Sequence, residues 1–197
     1  MKPVFSFVVT VGLIALVTGV AVTGQTPQPQ NQPRYTANDE LVMPENYREW
    51  VWLSSGIGMT YGPNASESTA ANPLFDNVFV TPEAYRAFLQ TGSWPDKTMF
   101  VLELRASHTE GSINKGGRFQ GDVRAIEVEV KDEKRFAGKW AFFDFRGNRS
   151  PVKPLPQTAQ CYSCHSQNGA VDNTFVQFYP TLIEVARQKG TLKTAAR

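Results

Sequence analysis

Two stretches in the middle of the chain alternate apolar and polar residues. In Thr98 to Arg105, Phe100, Leu102 and Leu104 fall on one side and Val101, Glu103 and Arg105 on the other. In Asp122 to Lys131, Ile126, Val128 and Val130 alternate with Glu127, Glu129 and Lys131. A period of two is the pattern of a half-buried strand. Trp140 to Phe145 is an aromatic run that predicts a third strand. Val78-Phe79-Val80 predicts a fourth, and the mixed stretch Val51 to Tyr61 a fifth. Gly62 to Pro73 and the Gly-rich segment His108 to Gly121 read as polar connections. Connections this short favour antiparallel pairing.

Helical signals lie around these strands. Thr81-Pro82-Glu83 is a helix start, with Thr as N-cap and Pro in the first position. Tyr85, Phe88 and Leu89 then share a face, and Gly92 closes the helix. Met43 to Trp50 reads as a short helix opened by Pro44. Pro151, Pro154 and Pro156 mark an extended crossing. Thr174 to Gln188 has helical spacing, with Pro180 starting a new helix. The expectation is an α+β fold, a mainly antiparallel sheet flanked by helices, over residues 41–190, with a short tail at 191–197.

The chain of 197 residues fits one such domain plus an extension. Its start supplies the extension. Lys2 precedes an apolar run from Phe5 to Val22, and small residues follow around Ala21 to Gly24. Residues 1–24 therefore read as a secretory signal peptide or as an N-terminal membrane anchor. The run is near the lower end of the roughly 17–25 residues a span requires. On either reading the folded part lies outside the cytoplasm, in the periplasm or an equivalent compartment. Residues 25–40 are Pro/Gln-rich at first and read as a linker. A formal charge of +2 excludes a strongly basic nucleic-acid binder. The 12% aromatic content fits a β-rich core or a pocket for a large flat ligand.

Both cysteines of the chain lie in Cys161-Tyr162-Ser163-Cys164-His165. This C-x-x-C-H run is the attachment signature of a c-type haem. Two thiols three positions apart on a tight turn can each form a thioether with one vinyl group of a haem edge. The adjacent His165 can then ligate the iron. A zinc knuckle would need about four ligands, and only His108 remains as an obvious fourth. A thioredoxin-like dithiol would follow a strand and open a βαβ unit, whereas this motif follows a Pro-rich crossing. A disulfide across two residues would be strained. One covalent haem c is the expected cofactor. For the other side of the iron, the sequence offers Met43, Met59, Met99 and His108 as candidate sixth ligands. The alternative is a five-coordinate iron with an open position.

From Pro44 onward the chain resembles the cytochrome P-460 family, including its cytochrome c′-beta branch. The resemblance rests on Met43 to Trp50, Pro82-Glu83-Ala84-Tyr85, Gly121-Asp122, Val130-Lys131-Asp132 with Arg135-Phe136-Ala137, and Trp140-Ala141-Phe142. The Cys161–His165 motif and Phe175-Val176-Gln177-Phe178-Tyr179-Pro180 complete it. It implies a sheet flanked by helices with one covalent haem, often in a homodimer. Members that oxidise hydroxylamine carry a strand lysine cross-linked to the porphyrin. The matching position here is Leu102, which cannot form that link; Lys97 has the opposite strand parity, and Lys115 lies in a loop. The resemblance thus favours the c′-beta branch, in which an apolar, Phe-lined distal side leaves iron five-coordinate for neutral diatomics such as NO and CO. Phe100 and Leu102 share the face where the lysine would point, and Phe79 is expected to reach it too. The alternatives are a periplasmic electron-transfer cytochrome with a redox partner protein, and a haem oxidoreductase acting on hydroxylamine or peroxide. No acidic residue stands out as a buried acid or base near the iron, and Asp122 and Asp144 read as surface or turn residues.

Overall fold

Five strands follow one another as antiparallel neighbours in the order β1-β2-β3-β4-β5. They are Val51–Ile57, Phe75–Val80, Met99–His108, Phe119–Lys131 and Trp140–Asp144. The computed structural model describes residues 31–61 and 72–193. The leader reading of residues 1–24 and most of the polar connection at 62–71 lie outside the described residues. Three α-helices complete the fold: α1 (Pro82–Thr91), α2 (Gln160–Asn168) and α3 (Pro180–Lys189). This is the expected α+β arrangement of an antiparallel sheet with helices.

Sheet register decides which residues share a face. Val80 pairs with Phe100, Phe100 with Glu129, and Glu129 with Phe142. Directly opposed residues point to the same side, so these four line one face. Val78, Leu102, Glu127 and Asp144 form the next row of that face, and Asp76, Leu104 and Ala125 the row after it. The other face carries Phe79, Val101, Val128 and Phe143. Both faces are covered in part, so the strands are more than half-buried, as the alternation alone would not show. On the first face, α1 and α3 pack over Leu53, Val80, Phe100 and Trp140. On the second, Leu41, Met43, Tyr47 and Trp50 pack over Met99, Val101, Val128 and Phe143.

Helix α1 starts after Thr81 and ends at Gly92, whose φ of 73° suits glycine. Thr81 makes no side-chain cap, so its place at the start is set by backbone geometry. Of the expected apolar stripe, Phe88 is fully buried, while Leu89 remains exposed. The helix predicted at Met43 to Trp50 shrinks to one 3-10 turn at Tyr47–Glu49. It is fixed to the sheet by Glu103, a buried carboxylate that accepts from the Tyr47 hydroxyl, Arg48 and Arg105. Burial alone would raise that carboxyl; the three donors outweigh it and hold Glu103 below the usual range.

The domain limits differ from the sequence reading at both ends. The compact unit begins at Asn31, not Leu41. Trp50 donates its indole N–H to Asn31 at 3.0 Å, and Tyr35 packs against Phe136 and Phe143. At the other end Leu192, assigned to the tail, is 8% exposed and belongs to the core. A few apolar anchors are enough to fold both segments in. Among the described residues, no helix is long and apolar enough to cross a membrane.

Candidate haem site

Cys161, Cys164 and His165 all lie on α2. Positions i, i+3 and i+4 of a helix share one face, so the motif forms a single stripe, on a helix where the sequence suggested a tight turn. Both thiols are unpaired and half-buried. Between them, Tyr162 packs edge-on to Phe142 and donates its hydroxyl to the Leu155 carbonyl at 3.0 Å. That anchors α2 to β5 and to the Pro-rich crossing.

The His165 ring is held between Phe142, at 4.5 Å between ring centres, and Phe175, at 4.4 Å. Its Nδ1 lies 2.9 Å from the carbonyl oxygen of Asn173. A carbonyl only accepts, so Nδ1 carries the proton and Nε2 bears the free lone pair. Glu129 Oε1 lies 3.4 Å from the same Nδ1. Burial, the largest single influence, would lower the His165 pKa. The nearby charge of Glu129 and the Asn173 carbonyl together outweigh it, and the net shift is upward.

The turn that presents Asn173 is tightly built. Asp172 and Asn173 both adopt positive φ, 48° and 65°. Lys131, 6% exposed, donates to the Trp94 carbonyl at 2.8 Å and pairs with Asp172. Gly169 leaves α2 where a Cβ would stand 2.6 Å from the Asn173 backbone and from the His165 carbonyl oxygen. No larger residue fits that approach. Sequence reasoning passed over Lys131, Gly169, Asp172 and Asn173 as site residues: the Lys131–Asp172 pair joins β4 to a loop some forty positions away, and Gly169 and Asn173 act through backbone geometry that no side-chain pattern marks.

The face next to this stripe changes character along the strands. At the Phe100 end it is packed: Phe100 is 3% exposed and meets Trp94, Trp140 and Tyr179. Phe100 is therefore core. One row further, Val78 and Leu102 are only half-buried and Glu127 is exposed. Phe79 is on the opposite face, paired with Val101 and edge-on to Tyr47. The expectation that Phe79 lines the same pocket as Leu102 is overturned by register: neighbours one residue apart on a strand point to opposite sides.

The Leu102 face is also less apolar than expected. Burial raises Asp76 from 3.8 to about 6. Glu127, directly across from Leu102, is pushed up by partial burial and then by the charges of Asp144 and Asp76, with His165 opposing. Tyr61 presents 64% of its surface, yet packing around it and the nearby charges of Asp76, Glu127 and both thiols push its phenol up to about 12. Burial, then the Glu127 charge, raises the Cys161 thiol. Acids thus stand where the alternation pattern offered only a solvated strand face.

The proposed sixth ligands scatter. Met43 and Met99 are buried in the core of the opposite face. His108 is exposed at the end of β3 against Phe119. Among the described residues no group of three or more His, Cys, Asp or Glu could hold a metal ion, so His108 does not complete a zinc site with the motif. Met59 lies at the β1 edge, with its sulfur over Gly56, the residue that pairs with Asp76.

The family model described as Cytochrome P460 matches residues 44–176, which span β1 to β5, α2 and the turn at Asn173. The chain belongs to the cytochrome P460 family. It is therefore a haem-binding cytochrome. The comparison with individual curated proteins returns no match. The residues present fit the family's cofactor. Two free thiols and an imidazole with an open Nε2 share a helix face, and the adjoining sheet face carries the half-buried Val78 and Leu102.

Proposed function

We propose that this cytochrome P460 member is a monohaem c-type cytochrome, working outside the cytoplasm, whose iron keeps one position open for NO or a similar neutral diatomic. Cys161 and Cys164 supply the two thioethers and His165 supplies the axial nitrogen. The observation that carries this reading is the Nδ1 contact to Asn173 at 2.9 Å, which fixes the tautomer and leaves Nε2 for the metal. When bound, haem supplies an iron centre able to take up small ligands and electrons. Leu102 provides an apolar wall without a donor to the iron. Of the residues named as sixth ligands, Met43 and Met99 are committed to the core of the opposite face.

A second reading, a haem oxidoreductase acting on hydroxylamine or peroxide, gains support from Asp76 and Glu127. Proton-coupled oxidation needs a positioned proton acceptor with a pKa near the working pH, and burial raises Asp76 toward that range, to about 6. Leu102 argues against the cross-linked form of that chemistry.

The deciding experiment is the optical spectrum of the ferrous protein, made with haem c maturation, before and after NO. A high-spin five-coordinate spectrum that shifts with NO supports the open position. Sharp low-spin bands indifferent to NO sink it and point to Met59. Turnover of hydroxylamine with a dye acceptor, abolished in Asp76→Asn, would establish the second reading.

A further inference from the structure

Glu129 is a carboxylate among aromatic rings. Its strand position pairs it with Phe100 and Phe142. Burying a carboxylate without partners is costly. Yet Oε1 is buried and accepts no hydrogen bond among the described residues. The nearest cation on its own strand face, Lys131, is committed to the Trp94 carbonyl and Asp172. What Oε1 does face is His165 Nδ1, at 3.4 Å.

We infer that Glu129 is a positioning residue for the axial imidazole, acting together with the Asn173 carbonyl on a single N–H. The carbonyl fixes the ring and the tautomer. The carboxylate polarises the N–H bond and makes Nε2 a stronger donor to iron, as carboxylate partners of metal-bound histidines do. A stronger, more anionic ligand favours ferric over ferrous iron. Glu129 therefore holds the reduction potential down. This rests on His165 being the axial ligand.

The test uses the haem-loaded protein and its Glu129→Gln variant, which keeps shape and hydrogen-bonding capacity but loses the charge. The midpoint potential should shift upward and the ferrous iron–histidine stretching frequency should fall. Glu129→Asp keeps the charge and draws it back by one methylene, so both readings should move the same way by a smaller step. It serves if the Gln variant does not fold. Unchanged potential and stretch, with His165 ligation intact, overturn the inference alone. A ferrous spectrum unaffected by His165→Ala overturns the axial assignment, and the inference with it.

Discussion

Trp94 donates its indole N–H to the Thr174 hydroxyl at 2.8 Å, and both side chains are almost wholly buried. This bond joins the connection after α1 to the residue next to Asn173. Thr174 in turn donates to the Val171 carbonyl at 2.7 Å, closing the turn on itself. The acceptor for His165 is thus held from the sheet side by residues far from the C-x-x-C-H motif.

Replacing Thr174 by Val keeps the volume and strands the indole N–H. A buried donor left unpaired costs about 1–3 kcal/mol. The expected result is a loss of that size in urea unfolding, together with a shifted iron–histidine stretch as the turn loosens. A stability loss with an unchanged stretch would show that the turn does not steer His165.

The two-face assignment separates Phe79 from Leu102. Phe79→Ala should cost roughly 2 kcal/mol, below the 3–5 kcal/mol of a fully buried Phe, and leave NO association unchanged. Leu102→Ala should cost less stability and alter the association rate. Stopped-flow mixing of both variants checks this. An NO rate that responds to Phe79 and not to Leu102 would contradict the register-based placement.

Covalent attachment is checked on denaturing gels stained for haem. Cys161→Ala and Cys164→Ala should each retain stain through the remaining thioether. The double variant should lose it. Stain surviving in the double variant would rule out thioether linkage through this motif.

Asp76 gives a pH dependence with a definite sign. Its folded pKa, about 6, exceeds its ordinary 3.8, so the folded chain holds a proton that the unfolded chain releases between those values. Its contribution is intact below the lower value and is lost as pH rises through about 6. The loss approaches about 3 kcal/mol, at 1.36 kcal/mol per unit. Asp76→Asn should match wild type near pH 4 and exceed it near pH 7 in denaturant unfolding. Equal stabilities at both pH values would refute the raised pKa.

Local pattern by itself determined the strands, because alternation is written residue by residue and a half-covered sheet demands it. Thr81-Pro82, Gly92 and Pro180 marked helix ends through backbone restrictions that hold in any context. The C-x-x-C-H run pointed to haem because its spacing is a property of the run alone, and the family match supports a haem-binding cytochrome. Tertiary structure decided what spacing cannot encode. Strand register sent Phe79 to the face opposite Leu102, and long-range packing turned Phe100 into core. It also brought Glu129 to His165, Lys131 to Asp172, and Asp76 and Glu127 to the Leu102 face. On a strand a buried acid and a solvated one have the same parity and the same letter. Only the neighbours folded over it set its solvation, and with it its charge and its role.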